Sequence, residues 1–356
     1  MRRRLNILVT TAAAVLLGAA GWLLAPAAEA AVGDGSPTDP NVVFYGRWDT
    51  TSSTAYVPKY AGAYFITSFT GTHVSLKQRN AIDLYYSIDG KADTYIQNVS
   101  GTVSLTPTAL ASGTHTLRVS YRVVAGSYAG DAVFQGLTLD SGAATVAPAK
   151  PAKLLEFIGD SITVGTTSTK NALTAYGWLT GEQLKAAHTQ IAVGGACLVA
   201  AADGCIGMGG AFLRQDWPTT APAWNFARYQ ADAVVINLGT NDKSHSVTGA
   251  DFQANYITLL KNIRAKYPNA AIFALETFIE RYSAETQAAV TAVADPRTYF
   301  VDTAGWLPDA GKSDSVHPND SGHQGIAAKL APVIAAKLAF ATAATTSSPA
   351  QAELAR

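Results

Sequence analysis

Three short stretches of this chain carry side chains that could do chemistry together. Gly159-Asp160-Ser161-Ile162-Thr163 presents a hydroxyl, Gly239-Thr240-Asn241-Asp242 an amide, and Asp314-Ser315-Val316-His317-Pro318 a carboxylate and an imidazole. A serine hydroxyl is a poor nucleophile until a neighbouring base takes its proton, and that base needs a partner to orient it. Asp314 stands three residues before His317, so a single turn of chain can aim its carboxylate at the ring. The chemistry implied is acyl transfer through Ser161, which builds negative charge on a carbonyl oxygen and therefore calls for hydrogen-bond donors. No Gly-x-Ser-x-Gly elbow occurs in the chain, which disfavours the arrangement of the α/β-hydrolases.

Each of these residues also has a plainer reading. Ser161 could cap the helix that follows it, and His317 before Pro318 could be an ordinary loop histidine. His323 is the other imidazole nearby and reads as a helix-start residue. Asp160 and Asp242 read as loop-fixing acceptors rather than proton carriers. The six histidines (His73, His115, His188, His245, His317, His323) form no His-Glu-x-x-His pattern, and two cysteines cannot build a zinc site of the usual spacing. The expectation is chemistry without metal or cofactor.

Elements must hold these residues in register. Leu154–Ile158, Ile191–Val193, Ala233–Leu238, Ala271–Leu275 and Tyr299–Val301 are apolar almost throughout and alternate with helical stretches. Within Asp251–Tyr267, Phe252, Tyr256, Leu259, Leu260 and Ile263 recur at helical spacing up to Pro268, and Gly322–Phe340 reads as a second amphipathic helix. Such alternation predicts a parallel sheet covered on both faces, with the site at the carboxyl ends of its strands. The grammar before residue 140 is different. Leu117, Val119, Tyr121 and Val123 alternate with Arg118, Ser120 and Arg122. The short runs Ala63–Thr70, Asp83–Ile88, Thr102–Leu105 and Ala132–Leu139 are separated by turn signals such as Asp89-Gly90. This predicts a small all-β sandwich or jelly roll over residues 31–140 and an α/β domain over 153–340. A small-residue, proline-containing connector over 141–152 joins them, and 341–356 is an Ala/Thr/Ser-rich tail.

Residues 1–30 read as a signal peptide: Arg2, Arg3 and Arg4, the apolar stretch Ile7–Leu24, then Ala28-Glu29-Ala30 as the cleavage site. The expectation is a secreted protein with no stable membrane association after cleavage. With 26 basic and 26 acidic residues the formal charge is zero, so no basic excess exists to bind nucleic acid by counterion release. A 48% hydrophobic composition supplies a core and excludes a disordered chain. Cys197 and Cys205 enclose a Gly/Ala-rich loop; in an exported protein they read as a disulfide, the alternative being two buried thiols.

Taken in order, the Gly-Asp-Ser block, Val193-Gly194-Gly195-Ala196, Gly239-Thr240-Asn241-Asp242 and Asp314-Ser315-Val316-His317-Pro318 resemble the SGNH (GDSL-type) hydrolase superfamily over residues 153–340. That resemblance implies a three-layer α/β fold with Ser161 as nucleophile, His317 as base and Asp314 as its orienting acid. It further implies an oxyanion hole made by the Ser161 N–H, a glycine N–H (Gly195 in preference to Gly194) and the Asn241 amide. Gly62–Gly71, Tyr86–Gly90, Phe134–Asp140 and Trp224–Gln230 extend the resemblance to carbohydrate esterase family two, the acetylxylan-esterase-like group. It implies removal of O-acetyl groups from polysaccharides such as xylan or glucomannan. Some members of that family lack the acid of the triad; here Asp314 occupies its position. The alternatives are a lipolytic acylhydrolase, an O-deacetylase of peptidoglycan or exopolysaccharide, and a non-catalytic carbohydrate-binding protein. Trp217, Trp224 and Trp306 could wall a sugar site or be core, whereas Trp48 and Tyr45 read as core.

Overall fold

The computed structural model describes residues 33–122, 132–201 and 203–338; the segments read as signal peptide and tail, with Val123 and Phe340, lie outside the described residues. The first part contains β1 (Val43–Tyr45), β2 (Trp48–Ser52), β3 (Ala55–Pro58), β4 (Tyr64–Gly71), β5 (Val74–Ile88), β6 (Thr94–Ser104), β7 (Gly113–Tyr121), β8 (Val133–Leu139) and β9 (Thr145–Val146). They pair antiparallel in the order β1-β4-β7-β5-β8-β3-β2, with β6 on β5 and β9 on β4.

Two separate sheets are expected of a sandwich, but this is one hydrogen-bonded path folded over on β5. Val74–Arg79 pair with β8, Leu84–Ile88 pair with β7, and between them the register against β6 shifts while Asn80 takes a φ of 63°. The fold-over closes an aromatic core: Phe65 on β4 meets Phe134 on β8 at 4.6 Å between centroids, and Phe44 on β1 packs against both. The alternation along β7 places Leu117, Val119 and Tyr121 in this core. The 141–152 connector is also not a free linker. Thr145 and Val146 pair with Phe69 and Ser68, and Thr145 exchanges backbone bonds with Gly33. Two residues are too few for a period to show in the sequence.

The second part contains β10 (Leu154–Gly159), α1 (Ser161–Val164), α2 (Tyr176–Gln183), β11 (Ala187–Ala192), α3 (Met208–Ala211), β12 (Ala233–Asn237), α4 (Gly249–Lys266), β13 (Ala271–Leu275), α5 (Ser283–Val293), β14 (Thr298–Val301) and α6 (Asp320–Ala335). The five strands are all parallel, in the order β11-β10-β12-β13-β14. Ile158, Val234, Ile236 and Ile272 pack on Phe252, Tyr256, Leu259 and Ile263 of α4 on one face. On the other face Leu155, Phe157, Val235 and Phe273 pack on Ile326, Leu330 and Ile334 of α6. These are the two covered faces that the unbroken apolar strands require. Thr248 caps α4 by accepting from Asp251 N.

The β-sheet domain lies against β11, the edge strand of the parallel sheet, where the Tyr64 hydroxyl accepts from His188 N at 3.2 Å and Arg118 grips Glu182 with bonds of 2.8 and 2.9 Å. Covering an edge in this way removes a template for unwanted strand pairing. Deeper in, Arg47 from the turn between β1 and β2 enters the α/β core. Its Nη1 donates to Phe212 O at 2.6 Å and to Arg214 O, and its guanidinium stands 5.2–5.6 Å from the rings of Tyr60, Phe212, Trp224 and Phe226. Nη2 faces Glu156 Oε1 on β10 at 3.8 Å, with both side chains fully buried. Glu156 Oε2 accepts from the hydroxyls of Tyr229 at 2.6 Å and Tyr267 at 3.2 Å.

Candidate active site

Strand β10 delivers the serine. Its apolar run ends at Gly159, where a side chain would meet Thr163 Oγ1 at 1.9 Å and Asn237 O at 3.1 Å, so the chain turns tightly enough only with glycine there. Asp160 then caps α1 by accepting from Ile162 N at 2.9 Å, and its buried carboxyl is pushed up to about 6, chiefly by desolvation. Ser161 opens α1 and is 7% exposed.

The loop after β14 brings the imidazole to it. His317 Nε2 lies 2.9 Å from Ser161 Oγ, and His317 Nδ1 lies 2.8 Å from Asp314 Oδ2. Asp314 Oδ1 accepts from the backbone N–H of both His317 and Val316, each at 2.8 Å. These bonds, the His317 backbone donor first, hold the Asp314 carboxyl down to about 2, so it is a carboxylate throughout the working range. With the Nδ1 proton directed at Asp314, Nε2 is the acceptor for the Ser161 hydroxyl. The side chain of Asp314 is 46% exposed and that of His317 22%. His323 is elsewhere employed: it is fully buried on α6 and its Nδ1 accepts from Tyr176 N at 3.1 Å.

At the ends of β11 and β12 the structure brings the amide and the glycine block together. Asn241 Nδ2 donates to Ala196 O at 2.8 Å, which leaves the second amide hydrogen for another acceptor. Gly195 has a φ of 76°, the left-handed region that favours glycine. Neither the Ser161 nor the Gly195 N–H is engaged in a backbone bond among the described residues. Cys197 and Cys205 are bonded to each other, with Cα atoms 5.9 Å apart. Their sulfurs and His245 form a grouping with metal-ligand spacing among the described residues, but disulfide sulfurs are not thiolate donors.

The tryptophans divide. Trp224 is buried against Arg47 and is not a wall of the site, Trp48 is core of the β-sheet domain, and Trp306 packs beside the α6 face. Trp217 is 41% exposed. Sequence reasoning missed the bracing of the Gly-Thr-Asn-Asp turn from the segment after β13: Arg281 donates to Thr240 O and Tyr282 OH to Val247 O at 2.6 Å. No spacing in the chain announces either contact, because both partners are unremarkable surface types until the strands place them.

Two family models match this chain: a GDSL-like lipase/acylhydrolase family over residues 157–324 and a carbohydrate esterase 2 N-terminal family over residues 44–148. Cellulase/esterase CelE of Acetivibrio thermocellus is 27% identical over 332 residues, which is 85% of this chain and 40% of that protein. The chain therefore spans less than half the length of that relative. An acetylxylan esterase / glucomannan deacetylase of Cellvibrio japonicus is 24% identical over 323 residues, 83% of this chain and 88% of that protein. A family two carbohydrate esterase from Clostridium thermocellum, solved in complex with cellohexaose, superposes with a TM-score of 0.72 at 26% identity, over 84% of this chain and 99% of the other.

Proposed function

We propose, for a chain with an SGNH/GDSL-like fold and homology to carbohydrate esterase family 2, that it is a secreted serine esterase removing O-acetyl groups from xylan- or glucomannan-type polysaccharides. The observation that carries the reading is the continuous relay Asp314–His317–Ser161, with bonds of 2.8 and 2.9 Å, at the carboxyl ends of a parallel sheet. His317 takes the Ser161 proton as Oγ attacks the acetyl carbonyl carbon. The resulting oxyanion is met by the Ser161 and Gly195 N–H groups and the second hydrogen of the Asn241 amide. The bond from carbonyl carbon to sugar oxygen then breaks, the sugar oxygen takes the proton from His317, and acetyl-Ser161 remains. A water, losing its proton to the same imidazole, attacks the acyl carbon, and acetate leaves as Ser161 regains its proton.

Acetyl as the acyl group and plant-wall polysaccharide as the alcohol are supported by the acetylxylan esterase / glucomannan deacetylase among the relatives. Secretion is supported by the basic, apolar and Ala-x-Ala pattern of residues 1–30. The test is acetate release from acetylated xylan and glucomannan beside 4-nitrophenyl acetate and octanoate, with Ser161→Ala as control. Release from polysaccharide and acetate ester, abolished by the variant, is the expected result. Octanoate preferred with polysaccharide untouched would overturn the substrate assignment and keep the serine; serine-independent turnover would overturn both.

A further inference from the structure

The two segments bearing the side-chain and loop donors of the oxyanion hole are tied together at four places. Asn241 Nδ2 reaches Ala196 O, Asp242 Oδ2 accepts from Leu198 N at 2.9 Å, and Asp242 Oδ1 accepts from Val199 N at 3.0 Å. The Cys197–Cys205 bridge closes the same loop, and at its rim His245 Nδ1 meets Asp203 Oδ2 at 2.6 Å. Asp242 differs from the others in kind. Its side chain is fully buried, and it spends both carboxylate oxygens on backbone donors two and three residues beyond Ala196. A carboxylate with each oxygen engaged by a fixed N–H allows that loop one position relative to its own backbone. That backbone adjoins Asn241.

We propose that Asp242 is a positioning residue for the oxyanion hole, locking the Gly194–Val199 loop to the turn that carries Asn241 so that the two donors keep one mutual geometry. The proposal rests on the esterase reading above. Asp242 touches neither substrate nor Ser161 in this scheme. It acts through the placement of others, and displacing such a donor by about 1 Å can cost on the order of a hundredfold in rate. Asp242→Asn is isosteric but turns one accepting oxygen into an NH2 facing a backbone N–H, which breaks one tie and pushes the loop away. The disulfide and the Asn241–Ala196 bond remain in this variant, so the chain is expected to fold.

The experiment measures 4-nitrophenyl acetate turnover by Asp242→Asn, together with inhibition by an acetyl trifluoromethyl ketone whose adduct with Ser161 places an oxyanion in the hole. The expected result is kcat lowered roughly 10–100-fold, KM within about twofold, and the ketone weakened by the same factor as kcat. A residue with only a structural role would lower the unfolding midpoint and leave ketone affinity per folded molecule unchanged. That outcome, or unchanged kcat, overturns the proposal. If Asp242→Asn does not fold, Cys197→Ser/Cys205→Ser serves instead: with Asp242 in place kcat should hold within a few-fold, and a loss as large as that of Asn241→Ala overturns the proposal. Activity lost in Asn241→Ala but kept in Asp242→Asn sinks this inference alone, whereas activity kept in Ser161→Ala sinks the reading beneath it.

Discussion

At the scale of single residues the site works by division of labour among groups of ordinary strength. In the proposed oxyanion hole Asn241 would be a preorganised donor, and removing one such donor typically costs about 3–4 kcal/mol of barrier, so Asn241→Ala should lower kcat by roughly two to three orders of magnitude with little change in KM. Asp314 keeps its proton off until about pH 2, so the carboxylate that faces the His317 ring stays charged across the working range. Asp314→Asn should present the wrong tautomer at Nε2 and lower kcat roughly 10³–10⁴-fold at pH 7.5, measured on 4-nitrophenyl acetate. Loss below tenfold would mean that the ring keeps its working orientation and tautomer without the Asp314 carboxylate. The grouping of Ser161, His317 and Asp314 was legible in the sequence because acyl transfer calls for a hydroxyl, an imidazole and an acid, and Asp314 stands one turn before His317. The plainer reading of Asp160 and Asp242 as loop-fixing acceptors matches their bonds to Ile162, Leu198 and Val199. The fit of the motif favoured Gly195 over Gly194 as the proposed loop donor. The two also differ in backbone: the left-handed φ of 76° falls on Gly195.

At the scale of elements, α6 does more than cover the sheet. The N-terminus of α2 has no side-chain cap of its own, and His323 of α6 supplies the acceptor for its first N–H. Burial holds the His323 ring down to about 4, the largest contribution being desolvation. A folded value below the unfolded one of ~6.5 means that its neutral form is favoured by folding. Its contribution is full above about pH 6.5 and is lost as the pH falls towards 4, up to about 3 kcal/mol. Asp160, raised to about 6 by burial, has the opposite sign, gaining as the pH falls. The clean measurement is therefore the urea-unfolding difference between wild type and His323→Gln, which should shrink by most of that amount between pH 7 and pH 4.5. A pH-independent difference would refute the burial of a neutral ring at this position. The long helix α4 was readable from its period and the parallel strands from their unbroken apolar runs. The length and bend of β5 were not, because its alternation breaks at Asn80 and its two halves answer to different partners. Nor was α3, whose four residues contain no period.

At the scale of the whole molecule, the β-sheet domain supplies part of the α/β core through Arg47. Nothing in the sequence marked that arginine, since a cation in a turn between short strands reads as surface until its aromatic box and Glu156 are seen. Arg47→Met removes one partner and strands a buried carboxylate, which should cost about 3–5 kcal/mol, while Arg47→Met with Glu156→Gln should recover a large part of it. Equal melting temperatures for wild type and the single variant would refute the buried pairing. It follows that residues 153–338 expressed alone should be insoluble or unfolded, even though every proposed catalytic group lies within them.

Along the proposed relay Asp314 is nearly half open to solvent, His317 partly so and Ser161 buried, which bears on how a polymer could present itself. On the proposed reading, the open Asp314–His317 side is where an ester group would come to Ser161, from the flank of an unbroken chain. The proposed deacetylation should then be indifferent to chain ends, stripping acetyl groups from mid-chain as readily as from the termini. Acetate release per acetyl group should accordingly be similar for a long polysaccharide and for the oligomers cut from it.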